Sequence, residues 1–336
     1  MIKFSHIEQL HTVVRVVAAR SEAGSPVGRV AYRGRIKLHG SNAGVVCVED
    51  RLLPQSRNRE LTLEDDNLGF AAFALASTQV EAIRTLAQEL RAAVDLPLDR
   101  PLALFGEWIG PGIQKRVAVS QLPTRQWVLF AAATLDEGAV HKRYFELPRL
   151  GERFAAASIY SIADAQEWHV TLDFEDRESL ERATATIDAA TLEVERRCPW
   201  ADRFGVEGIG EGLVWQPLAE HFGDSELVFK SKGEEHQVVR RSEPRVAISA
   251  EQLAGVEAFV TYAVTDNRLA QGLEVLREQG LAHELRSLGA FLKWVGGDVR
   301  RECAGELEAS ALEWKAVAKA VNERAKAWFV ESLAGS

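Results

Sequence analysis

A chain of 336 residues exceeds what one hydrophobic core usually fills, so two domains are expected. Hydrophobic residues at 46% and charged residues at 26% exclude a disordered chain, and a net charge of -9 argues against a uniformly basic nucleic-acid surface. Cys47, Cys198 and Cys303 are odd in number and far apart, which excludes a disulfide framework and a zinc cluster and fits a reducing cytosol.

The first stretch, MIKFSHIEQLHTVVRVV, carries a charge and a histidine where a signal peptide needs an unbroken apolar core. No run is long enough to span a bilayer, so a cytoplasmic protein without a membrane partner is expected. Next, RIKLHGSNAGV (35–45) sets Lys37 between Ile36 and Leu38, and Val45, Val46 and Val48 follow, which reads as two strands joined by a turn. LLPQSRNRELT follows at 52–62. Thr78-x-x-Glu81 has the pattern of a capping box and opens a helix through Val94. The runs PLALFGEWI (101–109) and QWVLFAAAT (126–134) read as strands, and a second helix is expected from Glu178 to Arg197.

GEGLVWQP (210–217) and LVFKSKGEEH (227–236) close this α/β part. Alternate strand residues face the same way, so Lys230 and Lys232 reach one side of a sheet and Ser231 the other. A charged link holding Pro244 spans Ser242 to Ser249. Beyond it, Ser249-x-x-Gln252 opens a region of helical period, with Gly280 and Gly305 as expected helix stops. The expected division is therefore 1–243 and 244–336. Basic clusters at Lys115-Arg116, His141-Lys142-Arg143, Lys230/Lys232 and Arg240, Arg241 and Arg245 each read, taken singly, as solvated faces.

Taken together, KLHGSN, LLPQSRNRELT, LFGEWIGPGIQ, GEGLVWQP and LVFKSKGEEH resemble the covalent nucleotidyltransferase superfamily of ATP-dependent ligases and capping enzymes. Within it, they resemble the nick-sealing RNA ligases of the bacteriophage double-strand type. AFVTYAVTDNRLAQGLEVL (258–276) is similar to the helical domain of those ligases, so the resemblance covers most of the chain. It implies an α/β (α+β) nucleotidyltransferase domain, an ATP-grasp-like ligase domain with antiparallel sheets, followed by a small all-helical domain. It also implies a monomer that joins RNA 3′-hydroxyl and 5′-phosphate ends at nicks or paired ends, in RNA repair, with ATP and Mg²⁺ or Mn²⁺. The alternatives are a catalytically reduced relative that only binds nucleotide or RNA ends, and a DNA ligase.

By this resemblance Lys37 is the nucleophile that takes AMP from ATP. An amine with a reference pKa of about 10.4 must lose its proton to react, and Lys230, Lys232 and the metal are the expected neighbouring cations that favour this. The same lysines would neutralise phosphate oxygens. Glu107 is implied on the ribose hydroxyls, Glu211 on the metal, Arg57 and Asn42 on phosphate oxygens, and His39 in the catalytic set beside Lys37. Trp127 is implied as the ring stacked on adenine, with a core position as its alternative. Arg268, Asp298 and Glu302 match positions tied to sealing, the last two alternatively being an exposed acidic pair. Three residues depart from the pattern: Ile36 for a glutamate that reads adenine, Ala131 for an aspartate and Gln216 for a lysine.

Overall fold

The computed structural model describes residues 1–135, 142–233, 255–309 and 312–334. The chain forms two compact units, Met1–Gly233 and Glu234–Ser336. His141, Arg240, Arg241, Arg245, the link from 242 to 249, the expected boundary at 243/244 and the Ser249-x-x-Gln252 pattern lie outside the described residues.

The first unit holds β1 (Glu8–Gln9), α1 (Leu10–Glu22), β2 (Arg29–Lys37), β3 (Ser41–Val48), β4 (Arg51–Ser56), α2 (Phe70–Ala74), α3 (Ser77–Val94), β5 (Leu102–Ile109), β6 (Gln126–Leu135), β7 (Lys142–Phe145), β8 (Ile159–Ser161), β9 (Glu167–Asp173), α4 (Arg177–Arg196), α5 (Pro199–Asp202), β10 (Gly212–Pro217) and β11 (Phe229–Lys232). One sheet has the order β1-β11-β10-β2-β9, and the other runs β4-β3-β5-β6-β7 with β8 beside β6. All pairings are antiparallel except β1 with β11 and β8 with β6.

Strand alternation sorts the faces. On β2, Val30, Tyr32 and Ile36 are buried in a core shared with Leu213, Trp215 and Phe229 and with Ile187 and Val194 of α4, while Arg33, Arg35 and Lys37 take the opposite face. In the second sheet, Val45, Leu104, Trp127 and Leu129 pack against Ile83, Leu86 and Leu90 of α3. The other face carries Val46, Phe105, Ala131 and Ala133, joined by Ile2 and Phe4.

Local expectations divide. β2 and β3 do not form a hairpin: Lys37 ends a strand of the first sheet and Ser41 begins one of the second. Thr78 lies inside α3, whose N-cap is Ala76 with no side-chain cap, so Thr78-x-x-Glu81 does not form a capping box. α4 starts as its cap chemistry requires, with the Asp176 side chain accepting from the Ser179 N–H at 3.1 Å.

The second unit is helical: α6 (Val256–Ala263), α7 (Asp266–Glu278), α8 (Leu288–Glu302), α9 (Ala304–Ala309) and α10 (Trp314–Ala334). Phe259, Leu276, Phe291, Val295, Val317, Val321 and Phe329 form its core. Gly280, at φ 72°, ends α7 in the left-handed conformation expected of a stop. Gly305 does not act as one, since α8 ends two residues earlier at Cys303 and α9 runs through it. No helix of the described residues is long and apolar enough to cross a membrane.

Candidate active site

The site begins with strand register. Gly212 of β10 lies opposite Lys37 of β2 on one side and opposite Lys232 of β11 on the other. Adjacent strands are about 4.8 Å apart, so the two lysine backbones stand about 10 Å apart with a side-chain-free position between them. Glu211, just before β10, fills that gap. Its side chain is 1% exposed, its Oε2 meets Lys37 Nζ at 2.6 Å and His39 Nδ1 at 3.3 Å, and its Oε1 meets Lys232 Nζ at 2.9 Å.

Burial alone would raise the Glu211 carboxyl, but Lys232, Lys37 and His39 outweigh it and hold the group well below the usual carboxylate range. A carboxylate is thus interposed between the two lysines expected to crowd one another. Lys230, two residues before Lys232 on the same face, lies opposite Val214. Ser231 turns to the core face as expected, with its hydroxyl on Thr191 and the Trp215 indole N–H.

The connection from Lys37 to Ser41 brings in the second sheet. The Gly40 N–H donates to Glu107 Oε1 at 3.0 Å, and the Gly40 carbonyl accepts from Gln114 Nε2 at 3.1 Å. A side chain at residue 40 would strike the Trp108 carbonyl and come within 2.7 Å of Ile109 Cγ2, so only glycine permits this approach. Glu107 lies opposite Asn42 in the ladder, which places both side chains on one face. The Glu107 carboxyl is pushed up to about 7, chiefly by burial and further by the Glu211 charge, while Lys37, the Gly40 N–H and His39 pull it down. Lys37, His39, Asn42, Glu107, Glu211 and Lys232 therefore come together, with Lys230 beside them.

Arg57 is exposed just after β4, one residue beyond Ser56, whose partner across the ladder is Ala43 next to Asn42, and its Nη2 lies 3.2 Å from His6 Nδ1. Trp127 is fully buried: its indole N–H donates to the Ala43 carbonyl at 3.1 Å and its ring packs edge-on against Phe70. It pairs in register with Trp108 on the face opposite Glu107, so it is a core residue and not an adenine platform. Ile36, opposite in facing to Lys37, is core as well, so an adenine-reading side chain has no place there.

Arg268 is 0% exposed in the second unit's interior, with its Nε on Asp298 Oδ2 at 2.9 Å and its Nη1 on the Ala263 carbonyl. Asp298 and Glu302 are buried too, 7% and 6% exposed, which rules out an exposed acidic pair. The residues missed by the motifs are Gln114 and the cluster in which Arg33 and Arg35 of β2 pair with Glu146 and Glu167. Gln114 lay within LFGEWIGPGIQ, and Arg33 and Arg35 share the strand alternation of Lys37.

Two carboxylates facing lysines suit a hard divalent cation, which takes oxygen ligands and shares them with phosphate. Glu211, with oxygens already shared among three basic groups, and Glu107, whose charge is disfavoured in isolation, would gain from such an ion.

The family model described as RNA ligase matches residues 33–232, which contain every residue of this cluster and more than half of the chain. The chain belongs to the RNA ligase family. Among solved structures it is similar to Naegleria gruberi RNA ligase: to a mutant with ATP and manganese at 18% identity, covering 70% of this chain and 57% of that one at a TM-score of 0.38, and to an apo mutant at 18% identity, 70% and 56% coverage and a TM-score of 0.41. The same ligase with pyrophosphate matches at 18% identity and a TM-score of 0.38, again over 70% and 56%. The chain spans little more than half the length of those structures. No curated protein matches it.

Proposed function

We propose that this member of the RNA ligase family is an ATP-dependent RNA ligase acting through a lysyl-AMP on Lys37, of the nick-sealing bacteriophage double-strand type. The observation that carries the reading is the meeting of Lys37, His39 and Lys232 on one buried carboxylate, Glu211, with Glu107 facing them.

In this reading the first unit is a nucleotidyltransferase domain of ATP-grasp-like layout, and the nucleotide binds between Lys37 and Glu107. Glu211 would hold a bound Mg²⁺ or Mn²⁺, which would supply charge neutralisation at the phosphate oxygens. Lys37, once its ammonium group has given a proton to solvent, attacks the α-phosphorus. An N–P bond forms, the bond to the bridging oxygen breaks, and pyrophosphate leaves. Lys230 and Lys232 hold the phosphate oxygens on which charge builds. Glu107 takes the ribose hydroxyls and Asn42 a phosphate oxygen.

AMP then passes to an RNA 5′-phosphate, and a neighbouring 3′-hydroxyl displaces it to close the phosphodiester, a step that a paired substrate favours by proximity. Incubation with ATP and Mg²⁺ or Mn²⁺ followed by intact mass measurement is expected to show one added AMP, absent in Lys37→Ala. A wild-type protein that gains no mass with either metal would refute the reading. Equal sealing of all-DNA nicks would overturn the RNA assignment.

A further inference from the structure

β5 leads into a loop whose alternation of buried and exposed residues is specific. Ile113 and Gln114 are buried, Lys115 and Arg116 are exposed, and Val117 re-enters the core, with the Ala118 N–H on the Ile209 carbonyl at 2.9 Å. The basic pair is therefore clamped on both sides. On one side the clamp is Gln114, the residue that holds the Gly40 carbonyl and with it the loop carrying His39.

Charge balance separates this pair from the cations around Lys37. Lys37 and Lys232 share Glu211, and Arg33 and Arg35 are paired with Glu146 and Glu167. Among the described residues, no acidic group lies within ion-pair distance of Lys115 or Arg116. Both side chains are exposed, in a chain of net charge -9.

Backbone conformation adds a second argument. Gly110 and Gly112 take positive φ of 122° and 78° where the loop needs that freedom, yet Arg116 takes φ 62° without being glycine. Arg116 holds this left-handed conformation between the buried Gln114 and Val117, which fixes the course of the loop at the basic pair. An arginine fork and a lysine point charge together suit phosphodiester oxygens.

We infer that Lys115 and Arg116 form a contact for the phosphate backbone of the polynucleotide, next to the Lys37 site and separate from the nucleotide-binding residues. This rests on the reading of Lys37 as the adenylylated residue, and the experiment separates the two. In the full chain, Lys115→Ala/Arg116→Ala is expected to gain AMP from ATP as the wild type does. It should bind a labelled nicked RNA duplex at least tenfold more weakly near physiological salt, with the slope of log affinity against log salt shallower by about 1.8, the value for two phosphate contacts.

Arg116→Gly, which removes the left-handed side chain, is expected to keep or raise the melting temperature and still weaken RNA binding. Wild-type RNA affinity and salt slope in the double variant would overturn the inference. So would a loss of ATP labelling matching the loss of RNA binding, which would put the pair on the nucleotide. Absence of labelling in the wild type refutes the Lys37 reading alone, because the RNA-binding arm reads out independently of it.

Discussion

Replacing Glu107 by glutamine is expected to make the first unit more stable at alkaline pH and less active. The carboxyl is raised from its ordinary 4.5 to about 7, mainly by burial, so keeping it ionised opposes folding. At 1.36 kcal/mol per pH unit this corresponds to an upper figure of about 3 kcal/mol. Glutamine keeps an oxygen to accept the Gly40 N–H, so the loop is retained. Because the folded-state value exceeds the unfolded one, folding takes up a proton between about pH 4.5 and about pH 7, and stability falls as pH rises across that window. Glu107→Gln lacks that loss. Urea unfolding followed by tryptophan fluorescence should show its advantage in full near pH 8 and almost none near pH 4. Equal stability of the two proteins at pH 8, or an advantage independent of pH, would refute the reasoning.

Glu211→Gln should act in the opposite sense: it strands Lys37 and Lys232 without their shared carboxylate, at ~3 kcal/mol, and abolishes AMP transfer to the protein, as urea unfolding and intact mass would show. The folded Glu211 value lies below its unfolded value, so the wild-type contribution is complete above pH 4.5 and lost as pH falls through the folded value; the variant's deficit should therefore narrow only in acid. Gly40→Ala drives a methyl group into the Trp108 carbonyl, with an expected loss of ~1 to 3 kcal/mol by thermal melting and no lysine adduct. Among the described residues, Arg268→Met leaves buried Asp298 with Arg301 as its cation, and is expected to destabilise the second unit by about 3 kcal/mol in urea; adding Asp298→Leu should recover most of that loss.

Lys37, His39, Asn42, Glu107 and Glu211 were pointed to by the family resemblance, whereas the shared face of Lys230 and Lys232 was legible from strand alternation, a short-range rule. Lys230 and Lys232 had to share a face whatever the fold, and Ser231 had to oppose them. Trp127 was misplaced because its facing depends on a long-range detail: the ladder between β5 and β6 shifts at Phe105/Gly106, and Trp127 pairs with Trp108 on the side away from Glu107. No local pattern fixes which side of a sheet an aromatic strand presents. The same holds for Arg268, whose match in TDNRLA says nothing of burial, since only the packing of α7 on α8 encloses it. Helix stops were read from glycine, which succeeded at Gly280 where φ is positive and failed at Gly305, where Cys303 had already ended the helix. Glu146 and Glu167 carry no motif, because their role is created by cross-strand and loop partners far apart in the chain.

The strand between the two lysines has no reactive group of its own opposite them. Gly212 sits at φ 146°, and a methyl group there would meet the Ser231 carbonyl and come within 2.9 Å of the Lys232 backbone. A saturation screen would therefore find strong intolerance at a position bearing no functional group, and a library restricted to charged residues would overlook it. What β10 supplies there is spacing, and spacing is held as strictly as the amines it separates.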